Sequence, residues 1–205
     1  MATLGGTKLE TAPIVYAPSD DTDLLVSAAR KLAFGRVLDL GCGTGAVGIE
    51  AAKKESVATV TCSDVNPAAV ELAEKNALSN GMREKMKFVV GDLFTPFPPS
   101  AVFDVIAFNP PYLPTGKEDV VEGSLNAAFD GGIDGRAITT RFLGGFESFL
   151  SSSGIVLLVQ SSLSGIDESV REFRARRFEA DIISSKRFFF EELAVIRASR
   201  EKIEP

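Results

Sequence analysis

The sequence predicts an α/β protein built on a doubly wound, mainly parallel sheet of seven strands. Short β-branched runs alternate with longer helix-like stretches, and a glycine-rich turn follows the first core strand. Two further strands joined by a short turn end the chain, so one strand of the sheet is expected to run antiparallel. At 205 residues, the chain has the length of one domain with a substantial core.

Alternation of the two kinds of segment defines the elements in chain order. Strands are predicted at 36–40, 58–63, 86–90, 103–108, 155–160, 179–185 and 192–198. Helices are predicted at 20–33, 45–54, 66–80, 136–150 and 166–176. Asn66 and Pro67 suit the start of the third helix, and Asn80 with Gly81 suits its end. The Pro- and Gly-rich segment 109–135 lacks periodicity, and a loop of that length is usually functional.

Composition excludes several kinds of chemistry. The chain has no histidine, which removes Ser-His and Cys-His nucleophile pairs and imidazole bases. Its two cysteines are too few for a structural zinc site, so no metal site is predicted, and we expect packed, reduced thiols in a cytoplasmic protein. The net charge of −6 argues against direct nucleic acid binding. No apolar run is long enough to span a membrane.

The turn at 41–45 indicates a site for a nucleotide-like cofactor. Gly41, Gly43 and Gly45 follow the first core strand, where a backbone without side chains can approach a ligand closely. The pattern is ambiguous, because Gly41, Gly43 and Ala46 also satisfy a dinucleotide fingerprint, with Asp64 in the place of its ribose-binding acid.

Charge favours one of the two cofactors. Carboxylates are expected at the carboxyl ends of the first three core strands and at the start of the first helix, and these are Asp39, Asp64, Asp92, Asp20, Asp21 and Asp23. They suit the cationic S-adenosylmethionine better than a pyrophosphate. We assign Asp64 to the ribose hydroxyls, Asp92 to the adenine amino group and Asp39 to the amino acid end, through the backbone or a water. The full predicted cofactor set is Thr22, Asp39, Gly41, Gly43, Gly45, Asp64, Val65, Asp92, Leu93 and Asn109.

The tetrapeptide 109–112 follows the fourth core strand and points to methyl transfer onto a planar nitrogen. An amide or aryl amine nitrogen is a poor nucleophile, so positioning matters more than a base. Asn109 Oδ1 and the Pro110 carbonyl can accept both N–H groups, and Tyr112 offers a planar face. The predicted catalytic residues are Asn109, Pro110 and Tyr112; the predicted substrate-binding residues are Asp21, Asn109, Pro110, Pro111 and Tyr112.

These motifs resemble those of the HemK-type methyltransferases. The resemblance is carried by 39–45, 64–67 and 109–112, by the segment 15–25, and by 127–136. It implies a Rossmann-like methyltransferase fold and methylation of the glutamine amide in the Gly-Gly-Gln motif of translation release factors. The early position of the first core strand resembles the shorter eukaryotic and archaeal branch, although Ala17 and Ser19 depart from its usual signature.

The resemblance also implies an organisation and a partner. Residues 1–35 form a segment and helix covering the cofactor and substrate, residues 36–198 form the core, and we predict one domain over 1–205. A small zinc-binding activator is expected to form a heterodimer at the sheet edge near the third core strand. The apolar candidates for this contact are Leu78, Met82, Met86 and Phe88, although ordinary core packing is the more frequent explanation for such residues.

Other functions remain open from the sequence. The same tetrapeptide serves adenine amino-methyltransferases, and lysine methylation is a further alternative. A non-catalytic cofactor-binding module and an NAD oxidoreductase are weaker alternatives. Two clusters have simple structural interpretations. We expect the arginine-rich segment 171–177 to form a solvated helix face, and the three phenylalanines at 188–190 to pack over the final hairpin.

Overall fold

The computed structural model describes residues 1–114 and 131–201, and it contains a seven-stranded sheet and a separate N-terminal hairpin. The hairpin pairs β1 with β2 antiparallel. The strands are β1 Ala2–Leu4, β2 Thr7–Leu9, β3 Gly35–Leu40, β4 Val57–Asp64, β5 Met86–Val90, β6 Phe103–Phe108, β7 Leu150–Ser161, β8 Phe178–Arg187 and β9 Glu192–Arg200.

The large sheet has the order β5-β4-β3-β6-β7-β9-β8. Its first five strands pair in parallel, and β9 runs antiparallel to both β7 and β8. The predicted seven-stranded, mainly parallel sheet with a C-terminal hairpin is therefore confirmed. The strand order reverses direction between β3 and β6, which is where doubly wound folds form their ligand crevice.

In the described part of the chain, five α-helices cover the two faces of the sheet: α1 Asp20–Leu32, α2 Ala46–Ala52, α3 Pro67–Ser79, α4 Ala137–Leu143 and α5 Ile166–Ala175. Side chains of α1, α2 and α3 pack in one apolar core, and those of α4 and α5 pack in a second core on the other face. Within the described ranges, no helix combines the length and apolarity that a membrane span needs.

The structure differs from the sequence-based expectations in three places. The predicted helix 136–150 ends at Leu143, because Gly144 and Gly145 break it before a short 3₁₀ helix and an early start of β7. The β1–β2 hairpin was not predicted. The rings of Phe189 and Phe190 are 92% and 84% exposed, so the prediction that they pack over the hairpin is wrong.

The segment proposed as functional, 109–135, is described only in part. Residues 115–130 lie outside the described residues, and so do positions 127–130 of the segment whose sequence resembles the family's substrate loop. Of the segment 127–136, residues 131–136 are described. The buried guanidinium of Arg136 donates to the carbonyl oxygens of Ser164 and Gly165 and to the carboxylate of Glu172. These bonds attach the start of α4 to α5.

Candidate active site

A cavity of about 550 Å³ lies at the carboxyl ends of β3, β4 and β6, at the point where the strand order reverses. It has the size of an ordinary small-molecule site. All but one of the predicted site residues line it: Asp21, Thr22, Asp39, Gly41, Gly43, Asp64, Val65, Asp92, Leu93, Asn109, Pro110, Pro111 and Tyr112. The sheet topology therefore brings together motifs that lie almost ninety residues apart along the chain.

Asp21 is the centre of a hydrogen-bond cluster at one end of the cavity. Its side chain is only 2% exposed, and its Oδ2 accepts from Tyr16 Oη at 2.9 Å, Asn109 Nδ2 at 3.0 Å and Tyr112 Oη at 3.1 Å. Its Oδ1 accepts from the Thr22 backbone N–H at 2.6 Å. The chain has two tyrosines, and both donate to this one carboxylate.

The cluster fixes the orientation of the Asn109 side chain. A carboxylate only accepts hydrogen bonds, so Asp21 requires the NH₂ group of Asn109 to face it. The other atom of that amide, Oδ1, is buried and has no hydrogen-bond partner among the described residues. A buried acceptor without a partner is costly, and such atoms in a site indicate a missing ligand group. Asn109 therefore presents an acceptor for an N–H donor.

Both tyrosines remain neutral donors. Burial and the negative charge of Asp21 raise the pKa of Tyr16 and of Tyr112 far above the ordinary phenol value, and the carboxylate of Glu191 raises both further. Neither phenol is suited to act as a base near neutral pH. They instead satisfy and position Asp21, and the ring of Tyr112 forms part of the cavity wall.

The glycine turn and Asp64 form another part of the cavity wall. Asp64 Oδ2 accepts from the Gly43 backbone N–H and its Oδ1 accepts from the Asn66 N–H, both at 2.9 Å. Gly41 and Gly43 have φ values of +64° and +51°, a conformation that favours glycine. Each Asp64 oxygen keeps a lone pair for a hydroxyl donor, so the assignment of Asp64 to ribose fits the geometry.

A cationic cofactor without phosphate suits the charges of the cavity. Asp21, Asp39, Asp64 and Asp92 contribute carboxyl groups, and among its described lining residues the one cationic side chain is Arg141. Arg141 is paired with Asp92 at 2.6 Å, so it is not free to hold a pyrophosphate. The same pair also occupies the carboxylate that we assigned to adenine. An exposed ion pair of this kind is worth little, so an adenine amino group can compete for Asp92.

Leu93 adopts an unusual backbone conformation next to Asp92. Its φ is +48°, which is rare for a residue other than glycine. Strain of this kind is concentrated at ligand sites. The conformation is consistent with the predicted role of Leu93 in contacting the cofactor.

Asp39 differs from the other carboxyl groups because it is fully enclosed. It is 2% exposed, its Oδ2 accepts from the Gly48 N–H at 2.8 Å, and the Cys62 thiol lies 3.9 Å away. Burial raises the pKa of Asp39 to about 7. Asp39 thus supports the glycine turn through the backbone of α2 and carries a proton below about pH 7 in the folded state. Its assignment to the amino acid end of the cofactor stays a prediction.

The raised pKa of Asp39 gives a prediction for stability. Because the folded state holds this proton more tightly than the unfolded state, stability should fall as the pH rises from about 4 to about 7. Asp39→Asn keeps an acceptor for Gly48 and removes the titration. We expect it to raise the melting temperature at pH 8 by about 3 °C, on the order of 1 kcal/mol, and to have no such effect at pH 4.

Asp104→Asn is the matched control, measured by the same thermal unfolding series. The Arg36 guanidinium holds the pKa of Asp104 below its usual value, so this substitution should instead destabilise at neutral pH and become neutral at low pH. An Asp39→Asn protein with the same melting temperature as the parent at every pH would contradict the proposed protonation.

The one predicted site residue outside the cavity wall is Gly45, and two of the carboxylates expected near the cofactor, Asp20 and Asp23, also lie outside it. Gly45 begins α2, and a Cβ placed there would lie 2.9 Å from the Ala73 Cβ, so this glycine permits close packing of α2 on α3. Asp20 pairs with Lys186 at 2.6 Å, and Asp23 is exposed. The prediction that the acidic start of α1 converges on the cofactor therefore holds only for Asp21.

The predicted site omitted several residues of the cavity wall, among them Tyr16, Arg141 and Glu191. Tyr16 belongs to the segment 15–25 that carries the family resemblance, so that resemblance could have identified it as a site residue. Glu191 is half-buried, and its Oε1 accepts from Ser161 Oγ at 2.6 Å. Nothing in the sequence around the final hairpin indicated that Glu191 reaches the site.

The fold and this cavity define a Rossmann-like methyltransferase, and comparisons with known proteins agree. The chain is 40% identical over 195 residues to a putative protein N5-glutamine methyltransferase of Methanocaldococcus jannaschii, covering 95% of this chain and 96% of the relative. It is 30% identical to mouse methyltransferase HEMK2, covering 91% of this chain and 90% of the relative. Since the methyltransferase small domain family model matches residues 11–177, the chain belongs to that family and, within it, to the HemK-type protein glutamine methyltransferases.

Other relatives are longer. A release factor glutamine methyltransferase of Gloeobacter violaceus is 31% identical over 160 residues, and the alignment covers 74% of this chain but 56% of the relative. Among solved structures, a chain of the E. cuniculi Mtq2-Trm112 complex matches with a TM-score of 0.70 at 24% identity, covering 92% of this chain and 99% of that one. That complex methylates the eRF1 translation termination factor, and the likeness supports the fold.

Proposed function

We propose that this protein transfers a methyl group from S-adenosylmethionine to the side-chain amide nitrogen of the glutamine in a Gly-Gly-Gln motif of a translation release factor. The observation that carries the proposal is the buried Asn109 Oδ1, which has no hydrogen-bond partner among the described residues while Nδ2 of the same amide is held by Asp21. The names of the archaeal relative and of the bacterial release factor enzymes support the choice of a glutamine acceptor.

The residues present explain how a weak nucleophile can react. Asn109 Oδ1 and the main-chain oxygen of the buried Pro110 accept the two N–H groups of the glutamine amide, and Pro110 and Pro111 make that backbone rigid. The amide nitrogen is thereby oriented to form a bond to the methyl carbon as the bond from that carbon to sulfur breaks, which leaves S-adenosylhomocysteine. The methylated nitrogen releases one N–H proton to water. When bound, the cofactor supplies a methyl group on a positively charged sulfur. Positioning and electrostatic complementarity replace general base catalysis.

The cofactor is assigned to the described cavity. Thr22, Asp64, Gly41 and Gly43 line this cavity, and we assign them to the ribose and amino acid portions of the cofactor. Asp92 and Leu93 also line it, and we assign them to the adenine. The neutral Asp39 supports the turn without adding a charge below about pH 7. Because release factors act in translation, we place the enzyme in the cytoplasm.

A partner subunit is the second part of the proposal. The strand β5 forms one edge of the sheet, and an open edge is a natural site for β pairing with another chain. Leu78 is 67% exposed, whereas Met86 is only 2% exposed and belongs to the core. We propose a small zinc-binding activator at this edge, with Leu78 and the half-buried Met82 and Phe88 as contacts. The solved Mtq2-Trm112 complex supports the existence of a partner in the family.

The proposal is tested by incubating the protein, with its activator, S-adenosylmethionine and a full-length release factor, and then locating methylation by tandem mass spectrometry. We expect one added methyl group on the Gly-Gly-Gln glutamine and none in the same factor with that glutamine changed to asparagine. Methylation of an adenine-containing oligonucleotide or of lysines at comparable rates, with an unmodified glutamine, would overturn the choice of acceptor.

A further inference from the structure

The turn between β8 and β9 exposes two aromatic rings that the fold does not need. Phe189 and Phe190 are 92% and 84% exposed, and they contact each other edge to face with ring centroids 4.5 Å apart. Elsewhere, phenylalanines such as Phe142, Phe146 and Phe173 fill the core below α4 and α5 with no exposed surface. Exposed apolar side chains gathered at one point indicate a surface that contacts a partner.

This turn is held in a defined shape. The Phe188 N–H donates to the Glu191 carbonyl at 2.7 Å and closes the turn. The Glu192 N–H donates to Ser162 Oγ at 2.9 Å, and Arg187 pairs with Glu192 at 2.9 Å. The two rings are therefore presented on a fixed support, which lowers the entropy cost of binding through them.

The turn is continuous with the active site. Glu191, the residue after Phe190, lines the same cavity as Asp21, Asn109 and Tyr112. Consecutive Cα atoms are about 3.8 Å apart, so the Cα atoms of Phe189 and Phe190 lie within roughly 8 Å of the Cα of Glu191. Lys186 pairs with Asp20 at 2.6 Å, which ties the root of the turn to the start of α1 beside Asp21. Because Glu191 belongs both to this turn and to the cavity wall, a polypeptide that places a side chain beside Glu191 would lie next to the two rings.

We propose that Phe189 and Phe190 form a docking ridge for the folded polypeptide substrate, contacting apolar surface next to the residue that enters the cavity. This inference rests on the proposed function, because the occupant is the protein that carries the glutamine. The charges favour a polypeptide over a nucleic acid. Lys186 and Arg187, the cations nearest the rings, are paired with Asp20 and Glu192, and the chain carries a net charge of −6.

The double substitution Phe189→Ser and Phe190→Ser tests the ridge through the KM for two acceptors. The rings lie outside the core, so we expect an unchanged fold and an unchanged affinity for S-adenosylmethionine. The KM for the full-length release factor should rise at least about tenfold with little change in kcat. The KM for the blocked tripeptide acetyl-Gly-Gly-Gln-amide should stay the same, because it is too short to cover both rings.

Ile182→Ser is the matched control. Ile182 is a 48% exposed apolar residue on the same hairpin, about 20 Å along the strand from the turn. It should leave the KM for both acceptors unchanged. The ridge is disproved if the double variant keeps the parental KM for the full-length factor, or if the tripeptide and the cofactor lose affinity to the same degree.

Two further measurements separate the other occupants. A parent protein that sediments as a dimer, with a monomeric double variant, would make the ridge a contact between copies of this chain. Binding of single-stranded oligoadenylate by the parent and not by the variant would assign it to nucleic acid. If the parent methylates the full-length factor and the double variant has the same KM for that factor, the proposed function stands and the docking ridge is disproved. If the parent methylates neither acceptor, both proposals fail.

Discussion

Asn109→Ala should lower turnover by roughly 10²–10³-fold, the range seen when one positioned hydrogen-bonding group is removed from a reacting centre. The substitution deletes Oδ1, which no described residue contacts by a hydrogen bond and which we assign to the glutamine amide, and it also removes the NH₂ group that donates to Asp21. Initial rates with saturating release factor and cofactor measure the effect. The dissociation constant for S-adenosylmethionine, from calorimetry, should rise far less than turnover falls, because the other residues assigned to the cofactor are unchanged.

Two additional variants make the Asn109 result specific. Asn109→Asp is close in shape and keeps acceptor oxygens, but it places a second carboxyl group beside Asp21 and loses the Nδ2 donor, so we expect a similar loss of turnover. Asn80→Ala removes an asparagine that bonds only to backbone carbonyls, of Lys8 and Asn76, outside the cavity. It should keep turnover close to that of the parent. An Asn109→Ala enzyme with normal turnover would refute the positioning role.

Asp21→Ala should affect both stability and turnover. It leaves the buried donors of Tyr16, Asn109 and Tyr112 without their shared acceptor, and each unsatisfied buried donor costs about 1–3 kcal/mol. We expect the free energy of unfolding to fall by about 2–4 kcal/mol, measured by urea denaturation. Turnover of the remaining folded enzyme should fall by about 10²-fold, because the Asn109 amide loses the contact that orients it.

Asp21→Asn separates orientation from folding. An asparagine fills the same space but offers one accepting oxygen and a donor that opposes the NH₂ group of Asn109, so turnover should fall while the fold is largely kept. Asp23→Asn is the matched control, since Asp23 is an exposed residue of the same helix. Asp23→Asn should change neither the free energy of unfolding nor the turnover measurably. Normal turnover in Asp21→Asn would show that the cluster does not position Asn109.

The fold was predictable because local pattern and topology rules agree along most of the chain. Strands rich in apolar and β-branched residues were recognised from the sequence. The strand β6 at Phe103–Phe108 was predicted at its observed bounds, and β3 and β4 were predicted within one residue at each end. The β1–β2 hairpin was missed although Gly5 and Gly6, with φ of +54° and +90°, provide a turn signal. Two strands of three residues are too short to show a hydrophobic period.

The site was predictable where its chemistry follows single motifs, and less so where it depends on packing between distant segments. The tetrapeptide 109–112 and Asp64 are recognisable from residue type and position at strand ends. The convergence of Tyr16 and Tyr112 on Asp21 joins segments about ninety residues apart, and no local pattern encodes it. The exposure of Phe189 and Phe190 was likewise misjudged, because apolar composition alone does not reveal whether a turn faces the core.

The central claim is that Asn109, held by Asp21, binds the amide nitrogen that becomes methylated. It is tested most directly by a crystal structure with S-adenosylhomocysteine and a Gly-Gly-Gln peptide. We expect the glutamine nitrogen to lie about 3 Å from both Asn109 Oδ1 and the Pro110 carbonyl oxygen, with Asn109 Nδ2 still donating to Asp21. A glutamine nitrogen that contacts neither oxygen, or an Asn109 amide turned away from Asp21, would contradict the account.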